Sequence, residues 1–339
     1  MSAEENTTAD EAWPELDDLK VRACAEDWHI DIENECKLDK TLGKGSSGEA
    51  YLARWRGAEV VVKKVTLLSA STSLARKAFI RECGIMARLR HPNLLPFYGA
   101  SLNAAQIALV CQYAEGGTLK HWLHSGKVRR SLGKRLQVVL DIARGMTYLA
   151  ARTPAVMHRD LKPSNVFMTK DDHALVADFG LARFIAAAGE ELTGETGTYI
   201  YMAPEVIKSQ RYDTRADVYS FGVLMYEIVT GIEPFQPHNS TGIQIATAVA
   251  DRAFRPKIPE TTHAGIAAII EMCWQQSQDD RPPFEQVLSS LEHMIPDILK
   301  EEESRRAKEA ENPTLQSKAL QNLSQTFQKW SDRMSELAN

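Results

Sequence analysis

The hydrophobic period changes once along this chain, and that change restricts the folds open to it. From Leu38 to about Val110 short strand-like runs dominate, broken by one helical stretch from Leu74 to Arg90 carrying apolar Phe79, Ile80, Met86 and Leu89. From Leu119 onward the pattern is mostly helical. Leu136 to Leu149 is amphipathic, and Val218 to Val229 is apolar on nearly every side, as expected of a helix through the middle of a domain. A small strand-rich lobe followed by a larger helical one is the α+β outcome. The 339 residues give both lobes room for a sizeable core.

A chain 44% hydrophobic and 25% charged is neither disordered throughout nor fibrous. Its net charge of -5 is too mild for a nucleic-acid binder and too acidic for a polybasic membrane anchor. That charge is unevenly spread: residues 1 to 36 hold about twelve acidic and two basic side chains, while the middle of the chain carries about +6. Residues 1–27 are therefore expected to form an acidic, disordered leader, with order beginning near Trp28 and Ile30. Residues 28–296 make the folded domain, its small lobe at about 37–113 and its large lobe at about 114–296.

Residues 297–339 read as a charged, then amphipathic helical extension. Glu301 to Glu311 is nearly all charged or Ala, a solvated helix that Asn312-Pro313 interrupts. Beyond it Leu320, Leu323, Phe327, Trp330, Met334 and Leu337 form a stripe within 314–338. An oligomeric coiled coil is one use for the stripe. Docking on the chain's own large lobe is preferred, because roughly two to three heptads fall short of the three or four a coiled coil needs. The five cysteines are odd in number and widely spaced, which fits neither a disulfide framework nor a zinc site. With no signal peptide and no transmembrane segment, since Val218 to Ile232 is too short and contains Glu227, the expected compartment is the cytoplasm, with the nucleus open.

Chemistry enters at Leu42-Gly43-Lys44-Gly45-Ser46-Ser47-Gly48-Glu49-Ala50, a glycine loop between strand-like stretches. Glycines let backbone amides approach phosphate oxygens without a Cβ in the way, although a hairpin without a ligand reads the same. A dinucleotide fingerprint is disfavoured because strands, not a helix, follow the last glycine. In Val60-Val61-Val62-Lys63-Lys64-Val65, alternation puts Lys63 and Lys64 on opposite faces, so only one points inward. Glu82, in the following helix, is a candidate ion-pair partner; otherwise it is a surface charge. His158-Arg159-Asp160-Leu161-Lys162-Pro163-Ser164-Asn165 then precedes Asp178-Phe179-Gly180, thirteen positions beyond Asn165.

With these motifs in order, followed by Ala203-Pro204-Glu205, Asp217 and Arg281, residues 37 to 295 resemble a eukaryotic protein kinase. The resemblance implies two lobes: a small antiparallel sheet with one key helix, and a larger, mainly helical lobe. It also implies ATP and Mg²⁺. Lys63, held by Glu82, would bind the α and β phosphates under the glycine loop. Asn165 and Asp178 would hold the metal, Asp160 would accept or orient the substrate hydroxyl, and Lys162 would neutralise the transferring phosphate. Glu205 would pair with Arg281, and Asp217 would hold the catalytic-loop backbone. Lys162-Pro163 and Gly197-Thr198 resemble serine/threonine kinases acting on proteins. Trp55-Arg56-Gly57, Tyr201-Met202-Ala203-Pro204-Glu205 and Cys273-Trp274 resemble the tyrosine-kinase-like group, which includes Raf-like kinases. The alternative is a pseudokinase that binds partners without transfer, disfavoured because Lys63, Asp160, Asn165 and Asp178 are all present.

Several positions depart from the family pattern. Ala50 and Val61 exchange the usual Val and Ala above the adenine, which favours Lys63 over Lys64 as the contacting lysine. Ser47 replaces an aromatic at the loop tip. Cys111 falls at the gatekeeper, with Gln112, Tyr113 and Ala114 as the hinge; a small gatekeeper implies an accessible back pocket. Gly84 weakens the helix carrying Glu82. Arg159 before the catalytic aspartate resembles kinases switched by loop phosphorylation, with Thr193 or Thr196 as targets of an upstream kinase.

Overall fold

The computed structural model describes residues 14–45, 48–65, 73–103, 106–125, 130–184, 199–236 and 240–311. Ser46, Ser47, Thr193, Thr196, Gly197, Thr198 and the stripe in 314–338 lie outside them.

The alternating runs of the first lobe become one antiparallel sheet. Its strands β1 (Cys36–Gly45), β2 (Gly48–Trp55), β3 (Ala58–Lys64), β4 (Phe97–Asn103) and β5 (Gln106–Gln112) lie in the order β1-β2-β3-β5-β4. Arg56 and Gly57, both at positive φ (48° and 87°), turn β2 into β3; two left-handed residues match the strand twist in such a tight turn. One face buries Ala53, Val60, Val62, Ala108 and Val110 together with Ile30, Ile32 and Cys36. Alternation leaves Val61 and Lys63 for the other face.

Between β3 and β4 lies α3 (Ser73–Met86), after α1 (Pro14–Ala25) and the single turn α2 (Ile32–Glu35). The helix expected to reach Arg90 stops at Met86. The Arg90 guanidinium donates back to the carbonyls of Met86 and Leu89, and its backbone N–H to the Tyr148 hydroxyl, so the chain is drawn out of the helix.

Residues 14–25 depart from the disorder expected of the leader: they form α1. Acidity concealed a sparse apolar set, Leu16, Leu19 and Ala23, whose spacing shares one face and which is buried. The helix packs against α3 and β4.

The large lobe is built around α7 (Arg215–Thr230), which buries nearly its whole length and packs against α5 (Leu132–Ala150) and α9 (Ala264–Cys273). Gly222 permits that closeness, since a Cβ there would stand 2.7 Å from the Cys273 Cβ. Around this core lie α4 (Leu119–His124), α6 (Pro204–Ile207) and α8 (Gly242–Arg252), the last opened by a Thr241–Gln244 capping box. Two short antiparallel pairs, β6 (Val156–Met157) with β9 (Arg183–Phe184) and β7 (Val166–Met168) with β8 (Ala174–Val176), frame the His158–Asn165 and Asp178–Gly180 segments. The final helix, α10 (Phe284–Glu311), runs through Pro296, so the expected boundary at 296 is no break in the helix. From Ser289 the described chain is the remainder of α10.

Candidate active site

The site starts at the β1–β2 hairpin, where Gly45 stands opposite Gly48. Gly48 has φ +141°, and a Cβ there would lie 1.9 Å from the Lys64 carbonyl oxygen, so no other residue fits. At Gly43 the space where a Cβ would sit is open. Lys44 and Glu49 pair at 2.5 Å across the hairpin, and Glu49 also accepts from the Tyr51 hydroxyl.

Strand β3 carries the lysines. Register sets Ala50 opposite Lys63 and Leu52 opposite Val61. Lys63 Nζ stands 4.0 Å from Glu82 Oε1 and 3.8 Å from Asp178 Oδ1, whereas Lys64 Nζ lies over the Tyr51 ring at 5.5 Å. Burial is the largest influence on Lys63 and opposes its charge, yet the carboxylates of Glu82 and Asp178 outweigh it and hold its pKa above the ordinary value. For Glu82 burial dominates and raises the pKa, against the pull of Lys63 and with a further push from Asp178. Gly180 fits closely beside both acids, its missing Cβ 3.4 Å from Asp178 Oδ1 and 3.6 Å from Glu82 Oε2.

Below the sheet, the loop from His158 to Asn165 hangs from Asp217 at the start of α7. The two carboxylate oxygens of Asp217 accept the backbone N–H groups of His158 (2.7 Å) and Arg159 (2.8 Å). Burial raises the Asp217 pKa, while His158 and those two N–H groups oppose the rise. His158 bridges two motifs: Nε2 meets the Ala177 carbonyl oxygen at 2.9 Å, next to Asp178, and Nδ1 accepts the Asp160 N–H at 3.3 Å. Asp160 Oδ2 accepts from Asn165 Nδ2 and from Lys162 Nζ, both at 2.8 Å. Asp160 Oδ1 is buried with no hydrogen-bond partner. The loop thus brings Asp160, Lys162 and Asn165 together, and the sheet brings Lys63, Glu82 and Asp178 together.

At the junction of the lobes Cys111 lies opposite Val61 on β3, and the Gln112 N–H donates to the Pro96 carbonyl at 2.9 Å. Burial pushes the Cys111 thiol up to about 12, which keeps it protonated and unreactive. The family model described as "Protein tyrosine and serine/threonine kinase" matches residues 36–291.

The chain belongs to the protein kinase family.

Over 273 residues the chain is 35% identical to the serine/threonine-protein kinase STY17 of Arabidopsis thaliana, covering 80% of this chain and 47% of that one. It is 37% identical over 274 residues to the serine/threonine-protein kinase VIK of the same plant, covering 78% and 62%. With the dual specificity protein kinase splA of Dictyostelium discoideum it shares 33% identity over 293 residues, 81% of this chain and 12% of that one. The chain spans less than two thirds of each of these relatives. A family that holds both tyrosine and serine/threonine kinases agrees with the tyrosine-kinase-like group read from its motifs.

Sequence reasoning missed two features of the site and its surroundings. Lys63 meets Asp178 as well as Glu82, a convergence of three elements that no spacing rule reveals. Buried Glu227 accepts from the Tyr201 hydroxyl at 2.5 Å and meets His124 Nε2 at 2.9 Å, tying α4 and α7 to the Ala203-Pro204-Glu205 segment. A lone acid in the otherwise mostly apolar run from Val218 to Val229 was the available signal, since such a residue needs partners.

Proposed function

We propose that this chain transfers the γ-phosphate of ATP to serine or threonine hydroxyls of protein substrates. The observation that carries the reading is Asp160: Lys162 and Asn165 occupy one carboxylate oxygen and leave the other buried and unpartnered. A buried acceptor without a donor is costly, and a substrate hydroxyl supplies the missing one. Asp160 Oδ1 then orients that hydroxyl or takes its proton as the hydroxyl oxygen bonds to the γ-phosphorus and the bond to the departing ADP oxygen breaks. Lys162, 2.8 Å from Asp160, is placed to neutralise the phosphate in transit.

Lys63, kept charged by two carboxylates, suits the α and β phosphates under the open backbone of Gly43. Among the described residues no cluster of three or more His, Cys, Asp or Glu forms a metal cage. Mg²⁺ favours one or two protein oxygens together with phosphates and water. Asp178 and Asn165 offer such oxygens and would hold it. Bound there, the ion supplies charge neutralisation to the phosphates.

Serine/threonine rather than tyrosine specificity rests on Lys162-Pro163 and on relatives named serine/threonine kinases. Regulation by an upstream kinase at Thr193 or Thr196 is supported by Arg159, whose buried Nε has no hydrogen-bond partner and suits a phosphate. A reducing compartment, the cytoplasm or nucleus, fits five free cysteines. Among the described residues no helix is long and apolar enough to cross a membrane.

The test is incubation with ATP, Mg²⁺ and a positional peptide library bearing Ser, Thr or Tyr. Phosphate should appear on Ser and Thr, and Asp160→Asn should lower kcat by about 10²–10⁴-fold with nucleotide affinity nearly unchanged. Full turnover by that variant, or transfer to tyrosine alone, overturns the assignment. Mass spectrometry of the same active enzyme should find phosphate on Thr193 or Thr196; an active enzyme without it removes the switch.

A further inference from the structure

The positive charge of the chain's middle is concentrated in one stretch. Residues 116–140 contain six lysines and arginines and no aspartate or glutamate: Lys120, Lys127, Arg129, Arg130, Lys134 and Arg135. Of these, Lys127 and Arg129 lie outside the described residues. Arg135 belongs to the frame, since its guanidinium donates to the carbonyls of Ile228 (3.3 Å) and Val229 (2.9 Å) at the end of α7. Lys120 is exposed on α4, and Lys134, exposed in the first turn of α5, pairs with Asp172 on the turn between β7 and β8.

Arg130 is held differently. Its guanidinium lies over the Trp122 ring at 5.2 Å, and its Nε is buried with no hydrogen-bond partner. Trp122 is itself fixed, buried on α4 with its indole donating to Asp172 Oδ1 at 2.7 Å. Asp172, the carboxylate that feels the charge of Arg130, is thus already engaged by an indole and a lysine. On the same turn Lys170 offsets exposed Asp171, so the surroundings add no net negative charge to neutralise the arginine. A guanidinium stacked on an indole keeps its plane and loses little freedom when it grips a carboxylate.

We propose that the basic face formed by α4 and the start of α5 docks an Asp/Glu-rich segment of a protein partner, with Arg130 gripping one of its carboxylates. The cations are strung from α4 to the first turn of α5 rather than gathered on one point, which matches an extended acidic chain better than a single phosphate. A single-stranded nucleic acid would need an exposed aromatic platform, whereas Trp122 is buried and its ring is covered by Arg130. Docking itself does not depend on the protein-kinase reading. Its consequence for turnover does: a protein substrate carrying such a segment is held at a higher local concentration, so KM falls while kcat stays the same.

Fluorescence anisotropy of the full chain with a labelled peptide of alternating Glu and Asp residues tests the docking. That peptide has no hydroxyl side chain to phosphorylate, so the readout decides even if the chain transfers no phosphate. Binding should weaken with added salt and fall roughly tenfold or more in Arg130→Glu. Lys257→Glu, the same charge change at an exposed lysine elsewhere in the large lobe, should leave binding within about twofold. Arg130→Lys keeps the charge without the planar fork and should lie between the two. Absence of binding by the unaltered chain, equal weakening by Arg130→Glu and Lys257→Glu, or tighter binding of a single-stranded oligonucleotide or an anionic vesicle than of the peptide overturns the proposal. If Arg130→Glu does not fold, Arg130→Gln carries the same comparison. In turnover, joining the acidic segment to a peptide substrate should lower KM by about tenfold, and Arg130→Glu should remove that gain while leaving KM for the unextended peptide as it was. A gain that survives Arg130→Glu also overturns the proposal.

Discussion

At the scale of single residues, chemistry depends on which of two adjacent lysines faces the cleft. Lys63 shares its face with Ala50 and Val61 and reaches two carboxylates; Lys64, one step along, lies over the Tyr51 ring. Removing Lys63 strips the cation that stands beside both Glu82 and Asp178 and leaves the two acids to repel each other. Lys63→Met should therefore lower kcat/KM for ATP by about 10²-fold or more, since charge complementarity is usually the largest single catalytic contribution. Lys64→Met should cost a half-buried cation–π contact, about 0.5–2 kcal/mol of stability, and leave turnover within about twofold. Steady-state kinetics with unfolding curves for both variants check this, and the reverse ranking would show that the strand faces the other way. The choice was legible in the sequence because alternation is a rigid rule and the Ala50 and Val61 exchange marked the same face. The third partner, Asp178, was not, because it arrives from the other lobe.

At the scale of elements, two glycines of the small lobe have opposite consequences. Gly84 sits in the last turn of α3 with free space where a Cβ would go, so Gly84→Ala should stabilise the helix by about 0.5–1 kcal/mol and slow its amide exchange. Gly99 faces the Trp28 carbonyl and the Ile30 side chain, 2.2 and 2.8 Å from the missing Cβ, and the nearest obstacle is backbone that cannot swing aside. Gly99→Ala should therefore cost about 1–3 kcal/mol by overpacking and loosen residues 28–30 from β4. Denaturant melts of the two variants should move in opposite directions; a shared direction would mean that these clearances do not govern stability. Elements whose pattern is self-sufficient, such as α7 with its near-continuous apolar surface or the alternating strands, were readable from sequence. Helix α1 was not, because three apolar positions among acids become a helix only against α3 and β4, and tertiary burial overrides weak local propensity.

At the scale of the whole kinase domain, segments far apart in the chain must be locked together, and a buried ion pair does this in the large lobe. Arg281 meets Glu205 in a two-pronged contact of 2.6 and 2.8 Å, with the side chains 0% and 7% exposed. The same guanidinium donates to the carbonyls of Gln275, Arg215 and Gln276, so one cation joins α6, the start of α7 and the turn before α10. The pair was legible from motif order, but its reach to three carbonyls was not, since backbone acceptors leave no mark on sequence. A fully desolvated charge is tolerable only with its partner, so Glu205→Gln keeps the shape and removes the compensation. That change should cost about 3–5 kcal/mol. At roughly 2–4 °C per kcal/mol for a domain of this size, the melting midpoint should fall by roughly 6–20 °C. None of the hydrogen bonds of this pair reaches Lys63, Glu82 or Asp178, so nucleotide affinity measured well below the transition should stay unchanged. Calorimetry and nucleotide titration of the same preparation separate the two effects: a large loss of affinity without loss of stability would make the pair part of the site rather than its frame.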